Sequence, residues 1–154
     1  MCKLCWSLVL LLALLSGGLI YKFILSGSVL EASDGRAAIQ LTQAEKDLVL
    51  SEMRTFLSSV QKIITAVSQD DMAAAAKAAR TVGMGAQQGA PGGLMGKLPL
   101  SFKKLGFDTH RKFDQLALDA EQLGDGSHTL KQLAELTQNC VACHEMYRLD
   151  LEQQ

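Results

Sequence analysis

Aromatic side chains make up only 5% of the 154 residues, and the formal net charge is no more than -1. β-branched residues are also sparse after residue 40, where Ala, Leu, Gln, Lys and Glu dominate. That composition leaves little from which to build strands and favours helices. The near balance of 15 Lys and Arg against 16 Asp and Glu excludes the basic face that nucleic acid requires and the acidic excess of a disordered chain. The four cysteines fall into two close pairs, Cys2 with Cys5 and Cys140 with Cys143, which is not the spacing of a disulfide framework. Between Gly83 and Gly96 lie six glycines and one proline, too many for a continuing helix. They lack the preceding strand and the G-K-[ST] ending of a phosphate loop, so they read as a flexible connection.

What the chain does contain is unevenly distributed. Lys3 precedes an almost unbroken apolar run from Leu4 to Ile20, which resumes after Tyr21 and Lys22 with Phe23, Ile24 and Leu25. Residues 1–27 therefore read as a membrane-targeting segment at the lower end of spanning length, with Lys22 able to snorkel to the interface. The candidate cleavage sites, Ser26-Gly27-Ser28 and Leu30-Glu31-Ala32, are poor, which favours a retained anchor over a removed signal. Lys3 on one side is opposed by Lys22 and Arg36 on the other, so charge does not set the orientation. Cys2 and Cys5 have no following His and read as inert thiols. Residues 28–39 read as a linker and 40–154 as one folded domain, whose twelve basic and fourteen acidic side chains leave a net charge of about -2.

Within that domain the pattern predicts an all-α, antiparallel up-down-up-down four-helix bundle. Thr42-Gln43-Ala44-Glu45 is a capping box opening helix A, whose seam is Val49, Met53, Phe56, Val60, Ile63 and Val67. Helix A runs to about Ser68, and Asp70 or Asp71 caps an Ala-rich helix B ending near Arg80. Helix C is expected to begin near Asp108 or Thr109, to turn Phe113, Leu116, Ala120 and Leu123 inward, and to stop at Gly124-Asp125-Gly126. Thr129 to Gln132 reads as a second capping box opening helix D, with Leu130, Leu133, Thr137, Cys140, His144, Tyr147 and Leu151 as its buried stripe.

On that last helix Cys140-Val141-Ala142-Cys143-His144 spell C-x-x-C-H, the pattern that attaches a c-type haem. Two thiols must reach two vinyl groups on one porphyrin edge while an imidazole reaches the iron, and residues three and four apart share a helix face. Two other uses of the cysteines fit less well. A zinc site lacks further ligands beyond His110 and His128, and a thioredoxin-like dithiol lacks the strand before it. Helix rise puts Met53 roughly 16 Å from the start of helix A and His144 about 11 Å from an end of helix D near Leu151, so antiparallel packing brings both to one end of the bundle. Met53 can serve there as a sixth iron ligand or as a plain core methionine. Met72 and Met146 read as packing or surface residues, and Met84 and Met95 lie in or beside the glycine-rich connection. His110 reads as an exposed or capping residue at the start of helix C, and His128 as solvated.

A C-terminal C-x-x-C-H, its extension Glu145-Met146-Tyr147-Arg148 and a methionine on the first helix together resemble the class II cytochromes c, the cytochrome c-prime family, over about Gln40 to Leu151. The resemblance implies one covalent haem c held by Cys140 and Cys143, His144 as proximal iron ligand, and Arg148 near the proximal face. Met53 matches the ligand position of the low-spin branch, which transfers single electrons to redox partner proteins; the five-coordinate branch binds NO or CO there instead. The resemblance also implies the periplasmic side of the bacterial inner membrane and, since the family often pairs through helix A, a homodimer; the charge balance leaves no nucleic acid partner. A non-haem helical protein with structural thiols is the remaining alternative, and catalysis finds no distal acid or base beyond His110.

Overall fold

The computed structural model describes residues 3–87, 89 and 91–152; Cys2 lies outside the described residues. Among the described residues the chain is mostly helical, with six α-helices and a small three-stranded sheet. Helix α1, Lys3–Ile20, buries none of its residues and continues as a π-helical turn, Tyr21–Ser26. From Lys3 to Ser26 this segment is long and apolar enough to cross a membrane.

Residues 28–39, expected as a linker, are ordered. Strands β1, Val29–Glu31, and β2, Ala37–Leu41, form an antiparallel hairpin pairing Val29 with Ile39. The chain returns to this sheet after α6 as β3, Tyr147–Leu151, parallel to β2 with Ala37 opposite Tyr147 and Leu41 opposite Leu151. The all-helical expectation is thus corrected at both ends of the domain. Tyr147, Leu149 and Leu151 alternate with Arg148 and Asp150, a period of two that a strand can use and a helix cannot.

Helix α2, Gln43–Ser68, begins at the expected capping box: Thr42 Oγ1 accepts from the Glu45 N–H at 3.3 Å while Glu45 Oε2 accepts from the Thr42 N–H at 2.9 Å. Helix α3, Met72–Arg80, starts at Asp71, whose carboxylate accepts from the Ala74 N–H. A 3-10 turn, Met84–Gln87, and a short helix α4, Gly92–Lys97, occupy the glycine-rich connection. Helix α5, Leu100–Leu123, begins eight residues before the expected start at Asp108, because Pro99 serves as its N-cap and its fixed φ suits a helix entrance. It ends at Gly124 in the left-handed conformation, φ 61°. Helix α6, Gly126–Met146, is capped by Asp125 rather than Thr129; Thr129 is buried in the first turn and returns its hydroxyl to the Asp125 carbonyl at 2.9 Å.

Helices α2, α3, α5 and α6 share one apolar core, built from Ile63 and Ala66; Ala75, Ala76, Ala78 and Ala79; Phe113, Leu116, Ala117 and Ala120; and Leu133 with Leu136. Alanines on α3 let the neighbouring helices approach closely, and Phe113 stacks on Phe56 with ring centroids 5.5 Å apart. Each fully buried large side chain here contributes about 1.5–3 kcal/mol of transfer energy. Leu123, expected to face inward, is 60% exposed in the last turn of α5. A second core joins Ile39 and Leu41 of β2 to Val49, Leu94 and Leu98, with Met53, Phe102, Tyr147 and Leu149 packed against it.

Candidate functional site

The C-x-x-C-H motif occupies the last two turns of α6. The inward stripe of that helix is Thr129, Leu133, Leu136, Cys140 and Cys143, the first three buried and the two cysteines half-buried. This stripe is out of phase with the expected one by up to a residue. His144 is therefore exposed rather than buried, and Leu130 is 43% exposed. The helix stops at Met146, so Tyr147 and Leu151 belong to β3 instead of continuing the stripe. Both motif cysteines are free thiols. Burial pushes the Cys140 thiol up, and burial together with the neighbouring Cys140 pushes Cys143 up to about 11. A dithiol built for exchange needs the opposite shift, a stabilised thiolate.

The elements around the motif are set by helix pairing. Gly126 at the start of α6 lies against Val67 near the end of α2: a Cβ on Gly126 would sit 3.1 Å from Val67 Cγ1. Counting fourteen residues along each antiparallel helix, about 21 Å of rise, brings Met53 level with Cys140. Met53 is half-buried on α2 and packs against the second core. On the other side Asn139 Nδ2 donates to Asp108 Oδ2 at 2.9 Å, and Gln132 Nε2 donates to Asp119 Oδ2 at 2.5 Å, so α5 and α6 are antiparallel. That register puts Gly106 near the level of Cys143.

Gly106 is a residue that the pattern reading missed. It falls on the same face as Phe102, Thr109 and Phe113, and a Cβ there would meet no atom within 4 Å. A glycine in a helix interior costs roughly 0.5–1 kcal/mol relative to Ala, and here it leaves open space beside the motif. A signal existed in the glycine itself, sitting among residues of helical spacing.

The motif's C-terminal side is clamped by a second missed residue, Arg36, in the hairpin. Its Nη1 donates to the carbonyls of His144 at 3.3 Å and Tyr147 at 3.4 Å, placing a cation on the C-terminal carbonyls of α6. Asp34 holds the same guanidinium at 2.7 Å, and those hydrogen bonds lower the Asp34 pKa to about 2. Arg148 lies on β3, its Nε donating to Asp150 at 2.9 Å and its Nη1 reaching Asp34 at 3.4 Å. Tyr147 packs edge-on against Phe102 at 5.3 Å and donates its backbone N–H to the Cys143 carbonyl, while its hydroxyl shares a hydrogen bond with Ser101.

His110 differs from expectation. Because α5 begins at Leu100, His110 is inside the helix and 2% exposed. Its Nδ1 lies 2.7 Å from the Val82 carbonyl and Nε2 2.6 Å from Gln87 Nε2, with Glu52 at 3.5 Å and the Phe56 ring centroid 4.9 Å away. Burial opposes its charged form, yet the Glu52 carboxylate and the Val82 and Gly83 backbone outweigh that and hold its pKa above the ordinary value. His128 is half-buried, 3.4 Å from Asp119. Met95 packs against the second core, Met72 against the first, and Met84 and Met146 are exposed.

The chain matches no family model, no curated protein and no solved structure. Among the described residues, no three His, Cys, Asp or Glu side chains gather as a metal site. The donor set at the end of α6 nevertheless fits haem attachment: two free thiols share an inward face, an imidazole adjoins them, and space opens at Gly106.

Proposed function

We propose that this chain is a membrane-anchored c-type cytochrome of the class II kind, in which α2, α3, α5 and α6 form an antiparallel up-down-up-down bundle and one haem c transfers single electrons. The observation that carries the reading is the pair of free, half-buried thiols Cys140 and Cys143 beside His144, at one level with Met53 and with the open space at Gly106. When bound, the haem supplies a one-electron couple at its iron. Cys140 and Cys143 would hold the haem, with His144 and Met53 as the iron's protein ligands; a thioether donor in apolar packing would favour the ferrous state and raise the potential. Arg36 and β3 fix the helix end that carries the motif. The apolar segment Lys3–Ser26 anchors the domain on the periplasmic side, at high effective concentration near membrane partners. Exposed Leu50, Leu57 and Ile64 repeat every seven residues along α2 and favour a homodimer through that helix.

One observation favours a second reading. Met53 packs with Val49, Leu94 and Leu98 in the second core, the environment of a methionine that fills space over an open, gas-binding iron. The absorption spectrum of the holoprotein separates the two. A methionine–iron charge-transfer band in the oxidised form, absent in Met53→Leu, and no CO uptake on reduction support electron transfer. A high-spin spectrum with ready CO binding overturns it in favour of the gas-binding branch. No covalent haem on a denaturing gel, from a host that attaches haem, overturns both.

A further inference from the structure

The stretch between α1 and the folded domain is a joint built from specific contacts. Lys22 Nζ donates to the Gly27 carbonyl at 2.9 Å, and the Ser28 N–H donates to the Lys97 carbonyl at 2.7 Å. Lys103 Nζ lies 3.4 Å from the Phe23 carbonyl and 3.3 Å from that of Met95. Phe23 covers Gly96, where a Cβ would lie 3.3 Å from its ring. Gly27 presses on the backbone of Lys97, Leu98 and Pro99 so closely that a Cβ would lie 2.3 Å from the Lys97 oxygen. Lys97 itself pairs with Glu45 at 2.6 Å and with Glu152, tying the joint to α2 and to the residue after β3.

Bilayer dimensions then fix where this joint lies. Leu4 to Tyr21, at about 1.5 Å per residue, covers roughly 27 Å of a hydrocarbon layer about 30 Å thick. Tyr21 and Lys22 fall at headgroup level, where an aromatic ring and a snorkelling amine are stable. Each headgroup layer adds only about 5–7 Å beyond the hydrocarbon. Gly27 follows within a short π-helical turn, so α4 and the first turns of α5 lie at the membrane surface. Lys103 and Lys104 belong to those turns, and Lys104 is exposed. Ser101 and Phe102 of the same turns touch Tyr147, whose N–H bonds to Cys143, so this end of the domain also carries the motif.

We propose that α4 and the first turns of α5 form a surface that lies on the bilayer, with Lys22, Lys103 and Lys104 toward anionic lipid headgroups, so that the domain is held in one orientation with its C-x-x-C-H end on the membrane side. The proposal rests on α1 being a retained span; it does not require haem. The test uses full-length chain carrying Cys2→Ser and Cys5→Ser in phosphatidylcholine–phosphatidylglycerol vesicles that contain a nickel-chelating lipid. A nitroxide at Lys104→Cys is compared with one at Gln122→Cys, near the opposite end of α5, by the relaxation that the headgroup nickel causes. Relaxation several-fold stronger at 104 is expected, and a flexible Gly/Ser insertion after Gly27 should bring the two sites together. Equal relaxation without the insertion, or stronger relaxation at 122, overturns the proposal. Recovery from cells of a mature chain that has lost residues 1–27 overturns its premise. More than one nitroxide per chain shows that Cys140 and Cys143 are not haem-linked, which counts against the cytochrome reading alone; the same comparison then runs in a Cys140→Ser, Cys143→Ser background.

Discussion

Replacing Gly27 with alanine should open the joint between the apolar helix and the domain. Gly27 has φ 65° and ψ -155°, a region that only glycine enters at low cost; for other residues the strain is about 1–3 kcal/mol. The added methyl would also lie 2.3 Å from the Lys97 oxygen and 2.8 Å from both the Leu98 carbonyl carbon and the Pro99 nitrogen, all backbone atoms that cannot swing aside. Overpacking of this kind costs about 1–3 kcal/mol. Together the two effects come to about 2–6 kcal/mol, and with 1.4 kcal/mol per factor of ten the opening equilibrium shifts by roughly thirtyfold to twenty-thousandfold. Hydrogen exchange of the full chain in lipid nanodiscs reads this directly, because the Ser28 N–H bonds to Lys97 across the joint and the Gln40 N–H bonds to the Ser28 carbonyl behind it. Ser28 should lose protection by that factor. Gly35→Ala is the control: its φ is 81° but nothing lies within 4 Å of the new methyl, so it carries strain in the hairpin turn and leaves Ser28 protected. A Ser28 amide that exchanges at the wild-type rate in Gly27→Ala would refute the reasoning.

Phe113→Ala should cost about 3–5 kcal/mol, since the ring is 0% exposed within the first core and stacks on Phe56 of α2; a loss below 1 kcal/mol in urea unfolding would contradict that packing. The raised pKa of His110 means that its bound proton contributes stability fully below about pH 6.5 and that this contribution disappears as pH rises through the higher folded value. The unfolding midpoint should therefore fall as pH rises through that window in the wild type and change less in Glu52→Gln; parallel profiles would remove Glu52 as the cause. Gly106→Ala should raise the stability of the haem-free chain by roughly 0.5–1 kcal/mol, because no atom opposes the methyl. Gly106→Leu should fill the space beside Cys143 and lower the haem content of protein that keeps its helical circular dichroism; full haem content would show that the space is not used.

How much of this was legible from the residues depended on how local each signal is. Thr42 with Glu45, Asp71, and Gly124 after Leu123 act within a few residues of themselves, and each boundary lies where its side chain or φ places it. The start of α5 was misplaced because no capping side chain marks it; Pro99 supplied the entrance, and tertiary packing of Phe102 on Tyr147 stabilised the first turns. The strands were hidden for a different reason. Val29 to Glu31 and Ala37 to Leu41 are too short to announce themselves, and Tyr147 to Leu151 also satisfies a three-four spacing if the helix is simply continued. Only the pairing partner, distant in sequence, decides between the two periods. The cysteines and His144 were legible as a motif and Met53 as a candidate beside it, but the exposure of His144 was not. Arg36, Gly106 and the burial of His110 were not, since each depends on which element happens to lie opposite.

The parallel pairing of β2 with β3 orders events during synthesis. Ala37 leaves the ribosome early, but its partner Tyr147 follows only after α2 to α6 have all been made. Until then the hairpin has an open edge and Arg36 has no helix end to cap. The C-x-x-C-H segment immediately precedes that final strand, so it remains unclamped throughout translation and is locked in place last. If haem is attached as proposed, the enzyme that must reach both thiols would have its opportunity before the sheet closes. Any change that speeds β3 docking shortens that interval without altering a single residue of the motif.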